Sequence, residues 1–173
     1  MGYLTHGHPS GYLSAGFLGM LIGRLVEGDD LEPALDKTYE VLEQYHYADE
    51  TMAAIDKARQ LAADLNASPC QETIEGLGEG WTGEEALAIA VYCSLVAKGN
   101  FDFGVRLAVN HGGDSDSTGA IAGKILGAML GRKGIGEQWL MPLELRDIIE
   151  QVATDLIIGY RKGRDWWTRY PGY

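Results

Sequence analysis

Apolar residues recur along this chain at the spacing of an α-helix, and no segment alternates polar and apolar residues over the length of a strand. The clearest example follows Pro142, where apolar side chains keep helical intervals as far as Tyr160. Pro142 itself suits the first turn of that helix. The pattern predicts an all-α chain, and 173 residues are enough for one domain with its own core, so we expect a single domain over residues 1–173.

Capping residues indicate where further helices begin. Asp30 and Asp49 each stand before an amphipathic stretch, as N-cap residues do. Thr82 and Glu85 have the spacing of a capping box for a helix that reaches about Lys98. We therefore predict helices that start near residues 30, 49 and 82.

Two further helical stretches, residues 14–26 and 118–130, are apolar on nearly every side and carry three regularly spaced glycines each. Glycine weakens a helix by about 0.5–1 kcal/mol relative to alanine, so its presence needs a reason. A helix without a polar face must be surrounded by other elements. We therefore expect these glycines to permit close backbone packing in the core.

The charge of the chain restricts its partners. The formal net charge is −11 at pH 7, and no run of Lys or Arg offsets it, which disfavours nucleic acid and anionic membrane surfaces. The longest uncharged apolar stretch, residues 11–23, is too short to span a bilayer, and no basic segment precedes it as in a signal peptide. Cys70 and Cys93 fit no metal-ligand spacing, and Cys93 lies in an apolar stretch. We expect a soluble, cytoplasmic protein.

The densest polar cluster in an apolar context is residues 110–119, where Asp114 and Asp116 alternate with hydroxyl side chains and glycines. Such hard oxygen ligands suit Mg²⁺ or Ca²⁺, and the helix that follows offers unpaired N–H groups to an anion. The spacing begins like an EF-hand loop, but its twelfth position holds Ile125 in place of the bidentate Glu, which excludes that motif. Simple N-capping by a Ser/Asp-rich turn is the alternative.

Two aromatic or imidazole features stand apart from this loop. His6 and His8 form a His-x-His pair without a third ligand nearby, which favours a polar helix start over a zinc site, although loop histidines can also line a pocket. Trp81 follows a glycine-rich hinge, where an indole either stacks on a ligand ring or packs at the edge of the core.

Three blocks of the sequence resemble the ADP-ribosylglycohydrolase family. They are Thr-His-Gly-His-Pro-Ser-Gly-Tyr at residues 5–12, Gly-Trp with the apolar helix that follows at residues 80–90, and Gly-Gly-Asp-Ser-Asp-Ser-Thr-Gly with its continuation at residues 112–123. The first and third blocks are most similar to the ADP-ribosylarginine hydrolase branch. The resemblance implies a compact orthogonal bundle of helices with a two-magnesium site, which binds ADP-ribose and hydrolyses its bond to a protein side chain.

The resemblance also assigns residues. It implies Mg²⁺ ligands by side-chain oxygen at Asp114, Asp116 and Ser117. The candidate substrate-binding residues, which include the tryptophan of the glycine hinge, are His6, Trp81, His111, Gly112, Gly113, Ser115 and Thr118. It assigns no catalytic residue within this chain.

Members of that family are much longer, and the part that this chain lacks is their N-terminal portion. That portion supplies a second acidic metal motif and an acidic residue that assists the catalytic water. Two interpretations follow. In the first, the chain belongs to an ADP-ribosyl hydrolase, with ADP-ribosylarginine favoured, either as a fragment or together with another polypeptide that donates the missing carboxylates. In the second, it is an inactive half-fold that oligomerises or binds ADP-ribose. The expected partners are ADP-ribose or an ADP-ribosylated protein, and either a second copy of the chain or another polypeptide that covers the missing half.

Overall fold

A computed structural model describes residues 2–159 and 163–172 of the chain. Over these residues the chain forms ten α-helices and no strand, which confirms the predicted all-α fold. None of the described helices combines the length and the apolar character needed to cross a membrane. A 3₁₀ turn at Gly2–Leu4 is followed by α1 (Pro9–Glu27), α2 (Leu31–Leu42), α3 (Asp49–Ala63), α4 (Gln71–Glu75), α5 (Gly83–Ala97), α6 (Phe101–Ala108), α7 (Ser115–Gly134), α8 (Glu137–Leu140), α9 (Arg146–Ile158) and α10 (Trp166–Arg169).

The helices belong to two compact units. The first unit comprises residues 1–136 and contains α1 to α7, and the second comprises residues 137–173 and contains α8 to α10. Because one domain can contain more than one compact unit, the single domain over residues 1–173 stays a prediction.

Helix α5 forms the centre of the first unit. It packs against α1, α3, α6 and α7, and side chains on all its sides are buried. A helix surrounded in this way needs apolar residues around its whole circumference, as the sequence of residues 86–97 provides. Cys93 is fully buried here, as its apolar surroundings predict, and this burial raises the pKa of its thiol to about 12.

The expectation of close packing at the helix glycines is wrong for α1. A Cβ added at any of its three regularly spaced glycines would meet no atom within 4 Å, and all three are exposed; they are Gly16, Gly19 and Gly23. In α7 the expectation holds at Gly119, where a Cβ would overlap the side chain of Val109, but not at Gly123. The reason is that α5, and not α1, takes the central position, so one side of α1 faces solvent.

The second unit differs from its sequence pattern in two ways. Pro142 lies in a turn, and α9 starts four residues later at Arg146, after Leu145 adopts a left-handed backbone with a φ of 58°. The apolar residues of α9 are exposed, Leu156 by 78%, while Tyr160, the last residue of the predicted stripe, lies outside the described residues. The buried residue of α9 is Asp155.

Asp155 connects α9 to the last residue of α10 and to the residue after it. Its carboxylate accepts two hydrogen bonds from Arg169, one from Nε and one of 2.7 Å from Nη2, and a third from the hydroxyl of Tyr170. Hydrogen bonding by Arg169 is the main reason that the pKa of Asp155 lies below its ordinary value. A buried carboxylate is tolerated because both partners satisfy it.

Candidate functional site

The predicted metal ligands lie where α6 gives way to α7. Asp114 immediately precedes α7, and Asp116 and Ser117 lie in the first turn of that helix. Asp114 occupies the N-cap position of α7, so the simple N-capping alternative stays open. Hydrogen bonding by the side chains of Ser117 and Asp116 lowers the pKa of Asp114, so its carboxylate is ionised at neutral pH. We refer to residues 110–117 as the acidic loop.

A hydrogen-bond network around His111 spans this loop. The backbone N–H of Gly113 donates to Nδ1 of His111 at 3.1 Å, and Nε2 of His111 lies 2.9 Å from the hydroxyl of Thr118. That hydroxyl in turn lies 2.7 Å from the carbonyl oxygen of Ala108 at the end of α6. The polar atoms of His111 and Thr118 are therefore directed toward the protein itself.

The acidic loop is held from its other side by Glu79. The backbone N–H of Asp114 donates a hydrogen bond of 2.8 Å to the carbonyl oxygen of Glu79. A Cβ added at Gly113 would overlap that carbonyl group, so the approach of the two backbones requires glycine. Gly112, in contrast, has room for a Cβ, whose nearest neighbour would be Oε1 of Glu75 at 3.8 Å.

Residues 78–81, which we call the hinge loop, connect this contact to Trp81. Gly80 has a φ of 80°, and a Cβ there would lie 2.8 Å from Cγ2 of Thr118. Trp81 Nε1 donates to the carboxylate of Glu79 at 3.0 Å, while 67% of the Trp81 side chain remains exposed. The N–H of Gly80 donates to Oε2 of Glu85 at 3.1 Å. The predicted capping box with Thr82 is therefore wrong, because Glu85 binds the hinge loop.

Trp81 and His6 line the same cavity, which has a volume of about 540 Å³. Its lining comes from the start of the chain, the start of α3 and the start of α5. In addition to Trp81 and His6, the lining residues are Gly7, His8, Ser10, Gly11, Glu50, Thr82, Gly83 and Glu84. The volume falls in the usual range of small-molecule sites, about 300–1,000 Å³. Of the predicted substrate-binding residues, the structure brings His6 and Trp81 together here, whereas those of the acidic loop and Thr118 lie outside the lining.

The cavity carries two carboxylates that sequence reasoning missed. His8 Nδ1 lies 2.9 Å from the Ser10 hydroxyl and 3.6 Å from the carboxylate of Glu50. Desolvation raises the pKa of Glu84, but hydrogen bonds from its own N–H and from Ser10 outweigh this effect, and the net pKa is lowered. Oε2 of Glu84 is buried without a hydrogen-bond partner. No local motif marks Glu50, which reaches the cavity only through the packing of α3.

The starts of three helices meet around the hinge loop and the residues that follow it. A Cβ at Gly83, the first residue of α5, would lie 2.5 Å from the Ser14 hydroxyl and 3.4 Å from Cα of Gly11 in the first turns of α1. The start of α7 lies against Gly80 through Thr118. Helix N-termini carry partial positive charge, which favours a bound anion near this point.

The acidic loop has the donor chemistry that Mg²⁺ requires. The residues that the structure describes contain no group of three His, Cys, Asp or Glu side chains that could hold a metal ion by themselves. Mg²⁺ is usually bound through one or two carboxylates, with waters and substrate phosphates completing its coordination. Asp114, Asp116 and Ser117 fit that partial ligand set.

Comparisons with known proteins identify a family and two relatives to which this chain is similar. A model of the ADP-ribosylglycohydrolase family matches residues 1–165. An uncharacterised protein of Archaeoglobus fulgidus is 35% identical over 97 residues, which cover 55% of this chain and 30% of that protein. ADP-ribosylhydrolase ARH1 of Dictyostelium discoideum is 35% identical over 80 residues, which cover 44% of this chain and 20% of that protein. The chain thus matches well under two thirds of each relative's length, and no solved structure matches it.

Proposed function

The chain belongs to the ADP-ribosylglycohydrolase family, and on that premise we propose that it takes part in hydrolysis of the bond between ADP-ribose and a protein side chain. The observation that carries the proposal is the connection between the acidic loop and the cavity. Glu79 contacts the loop through its carbonyl oxygen and Trp81 through its carboxylate. We propose that one ligand with both a pyrophosphate and an aromatic base contacts the acidic loop and the cavity.

Asp114, Asp116 and Ser117 would hold Mg²⁺ in this proposal, and the complete family site would hold two such ions. When bound, Mg²⁺ supplies electrostatic stabilisation of negative charge on the substrate. The chain has a net charge of −11, so it cannot rely on a basic surface to bind a pyrophosphate. The metal ligands and the helix starts near the hinge loop would take that role.

The cavity would accept the parts of the substrate that lie outside the pyrophosphate. Trp81 presents an exposed indole on which an aromatic base can stack, and His6 can hydrogen-bond to a ribose hydroxyl. Glu50 and Glu84 give the cavity negative charge, and the lining formed by the described residues contains no Lys or Arg. That charge suits the cationic guanidinium of arginine better than a neutral hydroxyl, which supports ADP-ribosylarginine as the favoured substrate.

We assign no carboxylate of residues 1–173 to the attacking water. We propose that a second polypeptide, or a second copy of the chain, completes the site. The exposed apolar residues of α9 support such an association, because surfaces of this kind commonly mark protein contacts; they include Ile148, Ile149, Val152 and Leu156. The alternative is an inactive half-fold that binds ADP-ribose or oligomerises without turnover. The cytoplasmic location stays a prediction.

A turnover assay on ADP-ribosylarginine with Mg²⁺ tests the proposal. If copies of the chain complete the site for one another, we expect the wild-type protein to be active, Asp114→Ala and Asp116→Ala to lose at least about 100-fold, as for other groups that stabilise charge in a transition state, and the control Asp64→Ala to lose nothing. Asp64 is an exposed carboxylate that bonds only to the N–H of Asn66 among the hydrogen bonds of the described chain. Activity that survives both loop substitutions would refute the site. No activity in any protein would refute completion by a second copy, and would leave completion by another polypeptide and the inactive half-fold as the two interpretations.

A further inference from the structure

We propose that His111 and Thr118 are positioning residues, which fix the acidic loop in its metal-binding shape and do not themselves contact the ligand. This inference rests on the proposed function, since it takes the acidic loop as a Mg²⁺ site. It assigns a role to two residues whose place in the motif suggests only that they lie near the substrate.

The hydrogen bonds at His111 leave neither ring nitrogen for a ligand. A backbone N–H can only donate, so the bond from Gly113 makes Nδ1 the acceptor. The proton of the neutral ring must then be on Nε2, which donates to the hydroxyl of Thr118. Both bonds are made within the protein, and together they connect the middle of the acidic loop to the first turn of α7.

Thr118 extends the same network to the end of α6. Its side chain is fully buried, and its hydroxyl lies 2.7 Å from the carbonyl oxygen of Ala108 and 3.2 Å from those of Asp114 and Ser115. A carbonyl can only accept, and we assign the hydroxyl proton to the shortest of these contacts, Ala108. The hydroxyl accepts from His111 at the same time, so one side chain joins both ends of the loop. Ala108 is fully buried as well, so water cannot readily replace the hydroxyl as its partner.

These bonds surround the proposed metal ligands. The network runs from Ala108 through Thr118 and His111 to Gly113, and Asp114 is the next residue, whose own N–H is held by Glu79. The backbone on the N-terminal side of the carboxylates is therefore restrained from two directions. Groups that orient metal ligands in this way typically contribute about 10–100-fold to metal affinity.

Three variants separate this role from a simple contribution to folding. Thr118→Val keeps the shape of the side chain but removes the hydroxyl. Thr118→Ser keeps the hydroxyl and is the matched control. His111→Ala removes the ring from a half-buried position, and Thr118 then still donates to Ala108. Each full-length protein is titrated with MgCl₂ by isothermal calorimetry, and circular dichroism checks that it is folded.

We expect Thr118→Val and His111→Ala to bind Mg²⁺ at least about tenfold more weakly than the wild type, and Thr118→Ser to bind within about threefold of it. If Thr118→Val does not fold, the comparison of His111→Ala with the wild type decides the matter. Unchanged Mg²⁺ affinity in folded His111→Ala overturns the inference. Absence of Mg²⁺ binding by the wild type overturns the proposed metal site itself, and so is distinguishable from failure of the positioning role.

Discussion

Replacement of Gly113 by alanine tests how closely the acidic loop must approach the hinge loop. The new Cβ would overlap the carbonyl oxygen of Glu79 and lie 2.6 Å from its carbonyl carbon. Non-bonded carbon atoms need about 3.5 Å, so the two backbones must separate by about 1 Å. The hydrogen bond from Asp114 to Glu79, now 2.8 Å, would then exceed the length of a useful bond.

Two effects of Gly113→Ala lower the free energy of unfolding. Loss of the hydrogen bond contributes about 1 kcal/mol, and overpacking between the backbones contributes about 1–3 kcal/mol. The free energy of unfolding should therefore fall by about 2–4 kcal/mol, which lowers Tm by about 5–15 °C in a protein of this size. Neither Gly112 nor Gly113 has a positive φ, so the alanine backbone itself adds no strain at either position.

Thermal unfolding followed by far-ultraviolet circular dichroism measures the effect, and Gly112→Ala is the matched control. A Cβ at Gly112 would meet Oε1 of Glu75 at an ordinary 3.8 Å, so we expect a change within about 0.5 kcal/mol. If the two variants unfold at the same temperature, the close approach of Gly113 to Glu79 is wrong. The link that we infer between the acidic loop and the cavity would then lose its structural basis.

Three further predictions concern other parts of the fold. Trp81→Ala should weaken ADP-ribose binding by about tenfold, as loss of one base stack does, and should leave Tm unchanged because the indole is largely exposed. Unchanged affinity in a calorimetric titration would exclude Trp81 from the site. Tyr39 donates a hydrogen bond of 2.7 Å to Asp56, so Tyr39→Phe should lower the free energy of unfolding by about 1 kcal/mol in urea titrations. Desolvation and that hydrogen bond raise the pKa of Tyr39 to about 12. Its stabilisation of the folded state is therefore complete below about pH 10 and is lost as the pH rises toward 12. The wild type should show a phenolate absorbance step near pH 12 that Tyr39→Phe lacks. Hydrogen bonds from Arg169 lower the pKa of Asp155, so the contribution of Asp155 to the stability of the folded state is present above about pH 4 and is lost as the pH falls further. If Asp155→Asn loses its helices at the same acid pH as the wild type, this prediction is wrong.

Local signals in the sequence predicted the position of the acidic loop, because its candidate metal ligands are neighbours along the chain. Asp114 and Asp116 are two residues apart, and the helix that follows them was marked by its apolar run. The cavity was predicted only in part. His6 and Trp81 had local signals, whereas Glu50 lies far from both in sequence and reaches them through tertiary packing.

Packing also explains where the helix predictions failed. The sequence spacing of Thr82 and Glu85 matched a capping box, but the positive φ of Gly80 turns its N–H toward Glu85, which takes that carboxylate away from the helix start. The glycines of α1 indicated a surrounded helix, yet small residues suit an exposed helix face as well as a crowded one. Only the position of α5 at the centre distinguishes the two cases.

The central claim, that the acidic loop and the cavity act as one ADP-ribose site, is tested most directly by an ADP-ribose titration with and without Mg²⁺. The account predicts that Mg²⁺ tightens binding in the wild type, that Asp114→Ala loses this enhancement, and that Trp81→Ala weakens binding under both conditions. Binding that is independent of Mg²⁺ and unaffected by both substitutions would contradict the account, because ADP-ribose would then be bound elsewhere on the protein.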